Sequence, residues 1–482
     1  MNRKIVFHIT GKLLQALAFI LLLPMIVSII YKEGEFLAFL TAAAISFVIG
    51  ITLVMLTKNC KKDLYAREGF LIVSLAWISA SLIGCLPFIL SGEIPNFFNA
   101  FFETVSGFTT TGASIVTNVE ELSRGVLFWR SFTHWIGGMG VLVFVVAFVG
   151  NISDKAIHIL RAEMPGPVVG KLVPRAKDTS KMLYIMYIVM TLMQIVLLWC
   201  GEMNLFEAVV HTFGTAGTGG FGLKSDSIAS YSAYSQWIIT VFMLVFGINF
   251  NLYFLLIIKR FRSVLKSTEL WTYLGIVITS VVIVSVNISP AFTSLSDTIR
   301  TAAFQVSSIM TTTGYATTDF NLWPNLSKTI LLILMFIGAC AGSTAGGLKV
   351  SRVILLFKMG LREIKRMIHP RSVVSIKFEG KEVDDHTKHG VTTYFAVYMV
   401  CFFFIFLLLS FEEAPFDFET NFSAVAACFN NIGPGFGIVG PVGSFSGYSD
   451  FSKLVLSFAM LFGRLEIFPI LIALIPSTWK KR

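Results

Sequence analysis

Four short stretches carry residue types that could hold a bare cation. They read Thr109-Thr110-Thr111-Gly112-Ala113, Thr218-Gly219-Gly220-Phe221, Thr311-Thr312-Thr313-Gly314-Tyr315 and Asn430-Asn431-Ile432-Gly433-Pro434-Gly435. A monovalent cation leaving water must recover the oxygens it loses, since an unpaired charge in an apolar medium costs on the order of tens of kcal/mol. Backbone carbonyls facing a common axis can supply those oxygens, and glycine allows the backbone angles and the close approach this needs. Threonine adds a hydroxyl oxygen at the inner end. The candidate ligand positions are Thr110, Thr111 and Gly112; Thr218, Gly219 and Gly220; Thr312, Thr313 and Gly314; and Asn431, Ile432 and Gly433.

The stretches align without gaps when Gly112, Gly220, Gly314 and Gly433 are set as position zero. Position −2 is then Thr110, Thr218, Thr312 and Asn431, and position −6 is small throughout: Ser106, Gly214, Ser308 and Ala427. Position −12 is Ala100, Ala208 and Ala302, with Asn421 in the fourth. Position −9 is Glu103, His211 and Gln305, with Ala424 in the fourth. One such loop would read as an ordinary extracellular turn. Four in register, at roughly 100-residue spacing, read as an internal repeat.

The elements that must position these loops are membrane helices. The chain has 482 residues, 55% hydrophobic and 14% charged, with 46 Phe, a composition that excludes an ordinary soluble domain. Uncharged runs such as Leu13–Tyr31, Phe36–Leu56, Phe70–Leu90 and Met182–Trp199 have about the 20 residues that cross a hydrocarbon core. The net charge is +10, and the basic residues gather in alternate connections: Lys58–Arg67, Lys155–Lys181, Lys259–Lys266, Lys358–Lys388 and the C-terminal Lys480-Lys481-Arg482. That alternation places the basic connections and both termini in the cytoplasm of a multi-pass membrane protein, and it argues against nucleic acid as a partner. The N-terminal apolar run is expected to be retained, because it lacks a small-residue cleavage site and a second span follows at once. The six cysteines are scattered without a CxxC or His/Cys cluster, so neither a disulfide framework nor a structural metal is expected.

Between consecutive basic connections one pattern recurs: a long apolar span, a shorter segment, a Thr/Gly loop and a second long span. The short segments Asn96–Gly107, Leu205–Gly214, Asp297–Ser308 and Thr420–Asn430 are too short to cross as helices, so they must dip in and return. Re-entrant backbone is tolerated where protein buries it or it lines a watery cavity. The sequence thus predicts an all-α integral membrane protein with four parallel repeats of membrane helix, re-entrant pore helix and membrane helix around one pseudo-fourfold pore. An extra N-terminal helix pair brings the total to ten membrane-spanning helices and four pore helices. The boundaries fall at 1–63 for the N-terminal pair, 64–165, 166–265 and 266–372 for the first three repeats, and 373–482 for the fourth.

Two features beneath the loops could control passage. The second span of the third repeat, expected over Thr329–Met359, contains Gly338-Ala339-Cys340-Ala341-Gly342-Ser343-Thr344-Ala345-Gly346-Gly347-Leu348-Lys349, too rich in glycine to hold a helix in lipid. Placed half a membrane below the filter, it could obstruct the path as a gate, with Gly338, Cys340, Gly342, Ser343, Thr344, Gly346, Gly347 and Lys349 as its working residues. A helix-packing segment of small residues is the alternative, but here the small residues are continuous rather than one-sided. Arg464, in Leu461-Phe462-Gly463-Arg464-Leu465-Glu466, is an ionisable residue at depth. It could act as an electrostatic barrier, pair with the carbonyls of the gate, or pair with Glu466. Trp129, Arg130 and His134 read as helix-end anchors.

The ordered set of motifs resembles the TrkH/KtrB superfamily of potassium transporters, TrkH branch, over essentially the whole chain. Besides the four loops, the marks are the 338–349 run and Gly463-Arg464-Leu465-Glu466-Ile467-Phe468. The resemblance implies K⁺ uptake across a prokaryotic cytoplasmic membrane and a homodimer with one pore per subunit. It also implies a cytoplasmic ring of nucleotide-binding regulatory subunits, TrkA-like, acting on the gate. By the same resemblance, Gly112, Gly220, Gly314 and Gly433 are filter glycines, 338–349 is the intramembrane gate and Arg464 is the arginine below the filter. Glycine rather than serine at position 112 implies preference for K⁺ over Na⁺, and Asn431-Ile432 implies only approximate fourfold symmetry.

The competing reading is a secondary transporter coupling Na⁺ or H⁺ to K⁺ or another solute. It would call for inverted halves and mid-span carboxylates, whereas the repeats are parallel and nearly free of them. No Walker loop or nucleophile–His arrangement is present, so neither an enzyme nor an organic cofactor is expected; the transported K⁺ is the ion the site would hold.

Overall fold

The computed structural model describes residues 2–59, 65–140, 176–372, 374–412 and 415–480. Among these the regular structure is nearly all helical, with one two-stranded hairpin pairing Lys377–Phe378 with Lys381–Glu382. The expected basic connection Lys155–Lys181 and the end of the first repeat's second span fall largely outside the described residues. Large apolar side chains cover the outside, such as Ile30 at 68% and Leu56 at 75% exposure, while threonines and asparagines of the four loops are wholly buried. That inversion is what lipid as solvent demands.

The N-terminal unit is a bent helix, Arg3–Ile20 continuing as Leu22–Ile30, against Phe36–Leu56. Gly11 and Gly50 let the two backbones touch: a Cβ on either would lie 2.8–2.9 Å from the other's carbonyl oxygen. Small residues at a helix crossing are the usual means of such packing in a membrane.

Each repeat opens on a long helix: Ala66–Gly84 continued by Leu86–Ser91, Ala176–Trp199, Thr268–Ile288 and Asp385–Leu409. A short helix follows in each: Phe97–Phe108, Leu205–Gly217, Leu295–Met310 and Phe418–Phe429. Three of the short helices start at an N-cap whose side chain accepts from the first turn. Asn96 accepts from Asn99 N, Asn204 from Glu207 N in a full capping box, and Asp417 from Thr420 N. These hydrogen bonds hold the exposed Asp417 carboxyl below the usual carboxylate range.

The second spans differ from expectation. Only the third was read as broken, yet the second and fourth are broken as well, and the first reaches a turn at the same level. Arg124–Gly138 ends at Met139; Ala233–Phe246 meets Phe250–Ile257 at 89°; Asn325–Ile337 and Val350–Ile368 flank the 338–349 loop; Asp450–Arg464 and Phe468–Leu474 flank a turn with Glu466 and Ile467 at positive φ. Consequently six helices among the described residues are long and apolar enough to cross on their own, or seven if the bent pair counts as one span. The expected ten is not reached by unbroken helices, because the pieces of the second spans are individually short.

Candidate functional site

Each short helix delivers its loop through the same backbone path. Position −2 is left-handed in all four: Thr110 at φ 56°, Thr218 at 55°, Thr312 at 56° and Asn431 at 56°. The glycines at position zero follow at 78°, 80°, 84° and 105°. For a β-branched residue this conformation is strained, by about 1–3 kcal/mol each. A repeated hydrogen bond offsets it: the position −1 N–H donates to the position −6 carbonyl at 2.9 Å for Thr111–Ser106 and 2.8 Å for Gly219–Gly214, Thr313–Ser308 and Ile432–Ala427. The small residues at −6 thus lie where the loop folds back onto the end of its own helix. At Gly214 a Cβ would stand 2.2 Å from the Tyr315 hydroxyl.

The position −1 carbonyls close a ring. A Cβ built on Gly112 would lie 1.9 Å from Gly219 O, one on Gly220 2.1 Å from Thr313 O, one on Gly314 2.0 Å from Ile432 O, and one on Gly433 2.8 Å from Thr111 O. Each loop's carbonyl therefore lies against the glycine of the loop before it, and the fourth returns to the first. On one side of the ring, all four glycines line a single pocket.

Aromatic residues at position +1 brace one loop against the preceding repeat. Phe221 stacks on His134 with ring centroids 4.2 Å apart, and the Arg130 guanidinium lies 4.1 Å from the centroid of the Phe221 ring. Tyr315 is fully buried and donates towards His211 O at 3.1 Å and Phe221 O at 3.2 Å. Arg130 and His134, read as helix-end anchors, are 2% and 0% exposed. Arg130 pairs with Glu103 at 2.7 Å, and that carboxylate also accepts from Ser114 Oγ and Ile115 N at 2.9 Å each. The misreading has a physical cause: a guanidinium near a span's end usually snorkels, and its buried partner stands 27 residues away. Glu103→Ala strands the buried guanidinium, and the stability loss is expected to reach about 3–5 kcal/mol. Thermal unfolding of the detergent-purified protein should show a lower midpoint, largely recovered when Arg130→Met is added to Glu103→Met.

Apart from that pocket, the 338–349 loop, Lys349 included, and Arg464 meet in one cavity, lined also by Trp77 and Gly138. The loop does not lie half a membrane below, as expected; it abuts the ring. Gly346 N donates to Thr312 Oγ1 at 2.7 Å, and a Cβ on Gly346 would stand 2.3 Å from Asn430 O. Only a residue without a side chain fits there. Arg464 Nη1 donates to Thr344 O at 2.8 Å and Thr110 Oγ1 at 3.2 Å, while Nη2 donates to Gly138 O at 2.8 Å and to Gly137 O. Glu466 instead takes Arg352, at 2.6 and 2.7 Å. The loop is pinned further by Cys340 N to Gly247 O (3.1 Å), Phe250 N to Gly342 O (3.0 Å), Thr344 Oγ1 to Phe246 O (3.3 Å), and Lys349 Nζ to Ala345 O. Gly338, Gly342 and Gly347 sit at φ 71°, 71° and 76°, while Ser343 bonds back to Cys340 O at 2.7 Å. Among the described residues no group of three or more His, Cys, Asp or Glu could hold a metal ion. The oxygens of the ring are of the neutral carbonyl and hydroxyl kind that suits a weakly held monovalent ion.

The family model of TrkH, described as a cation transport protein, matches residues 36–481. The chain is 36% identical over 488 residues to "Trk system potassium uptake protein TrkH" of Escherichia coli (strain K12), covering 100% of both. It is 34% identical to "Trk system potassium uptake protein TrkG" of the same strain over 482 residues, covering 99% of each. Its fold matches the crystal structure of the potassium transporter TrkH from Vibrio parahaemolyticus with a TM-score of 0.88, at 35% identity over 100% of both chains. Such relatives are transport proteins rather than enzymes. On family model, full-length identity and fold alike, the chain belongs to the TrkH family of cation transport proteins.

Proposed function

We propose that the protein carries K⁺ into the cell across the cytoplasmic membrane of a prokaryote. The route runs through a filter formed by positions −2 to zero of the four loops and is closed from inside by the 338–349 loop and Arg464. What supports this reading most is the closed ring, in which each position −1 carbonyl lies against the preceding loop's glycine. Four neutral oxygens on one axis replace water around a monovalent ion without binding it so tightly that it cannot leave. Counting each second span as one crossing gives ten crossings with both termini inside. The repeats then run over 64–165, 166–265, 266–372 and 373–482. A cytoplasmic nucleotide-binding ring acting on the gate, and a homodimer with one pore per chain, complete the reading. A further component acting with the chain accords with relatives named for the Trk system.

The test is electrical. Purified protein in planar bilayers, with K⁺ and H⁺ set asymmetrically, should give a reversal potential that follows the K⁺ gradient alone. A potential that shifts with the H⁺ or Na⁺ gradient would instead assign a coupled transporter.

A further inference from the structure

The 338–349 loop is held from the ring side by Thr312 and Arg464, but its first half is held by a group the ring does not supply. Glu269, 5% exposed at the first turn of Thr268–Ile288, accepts from Ala341 N at 2.7 Å and takes a further hydrogen bond from the Asn249 side chain. Asn249 stands in the break of the second repeat's second span, between Gly247 and Phe250, which are themselves bonded to the loop. One carboxylate therefore ties the loop to that break.

The carboxylate's own position is set from outside the helix bundle. In the hairpin between Val350–Ile368 and Asp385–Leu409, Glu379 and Gly380 form the two-residue turn, both at positive φ, 48° and 74°. The exposed Glu379 carboxylate caps the helix that carries Glu269, accepting from Glu269 N at 3.0 Å and Ser267 Oγ at 3.1 Å. An anion at a helix N-terminus is stabilised by the orphan N–H groups there. The hairpin is anchored by buried Phe378 and by Lys358 Nζ donating to Lys377 O at 2.8 Å.

We infer that Glu269 is a positioning residue that clamps the 338–349 loop under the ring, and that the 377–382 hairpin, through Glu379, holds this clamp in register. Displacing the hairpin at its exposed turn frees the helix end, shifts Glu269 and releases Ala341. This rests on the reading of the loop as the gate of a K⁺ pore.

The experiment measures K⁺ flux through the full chain reconstituted alone in liposomes. Glu269→Ala should raise resting flux about tenfold, or ~1.4 kcal/mol, the low end for a hydrogen bond to a charged acceptor. Glu269→Gln, which keeps an oxygen for the Ala341 N–H, should recover most of the closure. Glu379→Ala lies at an exposed turn and should raise flux in the same direction by a smaller factor. K⁺ over Na⁺ selectivity should stay at the wild-type value in all three, which a general loosening of the pore would not allow. A Ser267→Cys/Glu379→Cys pair should lower flux on oxidation and restore it on reduction. Resting flux unchanged in both Glu269→Ala and Glu379→Ala, or raised with selectivity lost, overturns the inference. Wild-type vesicles lacking K⁺ selectivity would instead overturn the pore reading beneath it.

Discussion

Gly314→Ser should cut K⁺ over Na⁺ selectivity by at least about tenfold, a change of ~1.4 kcal/mol in relative ion stabilisation. The added Cβ would stand 2.0 Å from Ile432 O, at a residue whose φ is 84°. To reach ordinary contact that oxygen must retreat by about 1.4 Å or more, and interior packing leaves little room for such a shift without distorting the ring. One quarter of the ring then no longer faces the ion as the others do. Gly112→Ser and Gly220→Ser should act alike, since their nearest carbonyls stand at 1.9 and 2.1 Å, whereas Gly433→Ser, at 2.8 Å, should be milder. Bi-ionic reversal potentials in planar bilayers measure this. Wild-type selectivity in both Gly314→Ser and Gly112→Ser would sink the filter assignment.

Arg464→Ala should raise resting K⁺ flux by about ten- to a hundredfold. The substitution removes a cationic side chain from the cavity beneath the ring, where two unit charges 4 Å apart repel by about 4 kcal/mol at an intermediate effective dielectric. It also releases Thr344 O and Thr110 Oγ1, so the 338–349 loop loses its tie to the first repeat. The rise stops short of full opening because Gly346–Thr312 and Ala341–Glu269 still hold the loop. Arg464→Lys separates the two contributions. It keeps the charge but not the fork, so flux near wild type assigns closure to electrostatics, and flux near that of the alanine variant assigns it to the hydrogen bonds. Vesicle flux measured on the chain alone reads both, and no rise in Arg464→Ala would place the constriction elsewhere.

The repeat was legible because its signals are local: glycine at zero, a small residue at −6, and a helix half the length of a span before them. Three things were not legible, each for a reason tied to particular residues. Threonine at −2 takes a conformation its own preferences oppose, and the force that holds it there is the fold-back bond to −6, visible only once the loop is closed. The breaks at Gly247–Asn249 and Leu465–Ile467 sit in greasy sequence with too few glycines to announce them. The nearness of Arg464 to Glu466 in sequence suggested a pair, yet the helix ends at Arg464 and Glu466 sits in the following turn at φ 53°, which carries its side chain elsewhere. Glu466 instead reaches Arg352, and Arg464 turns to four oxygens from three different segments.

The ring closes within one polypeptide: the carbonyl of Thr111 in the first loop meets Gly433 in the last. In a pore assembled from separate identical chains, one faulty gene copy contaminates most assemblies. Here a damaged aperture stays confined to the molecule that carries the lesion. Alleles of these loops should therefore behave as recessive, and the four segments need not be identical, as Asn431-Ile432 in the last loop illustrates.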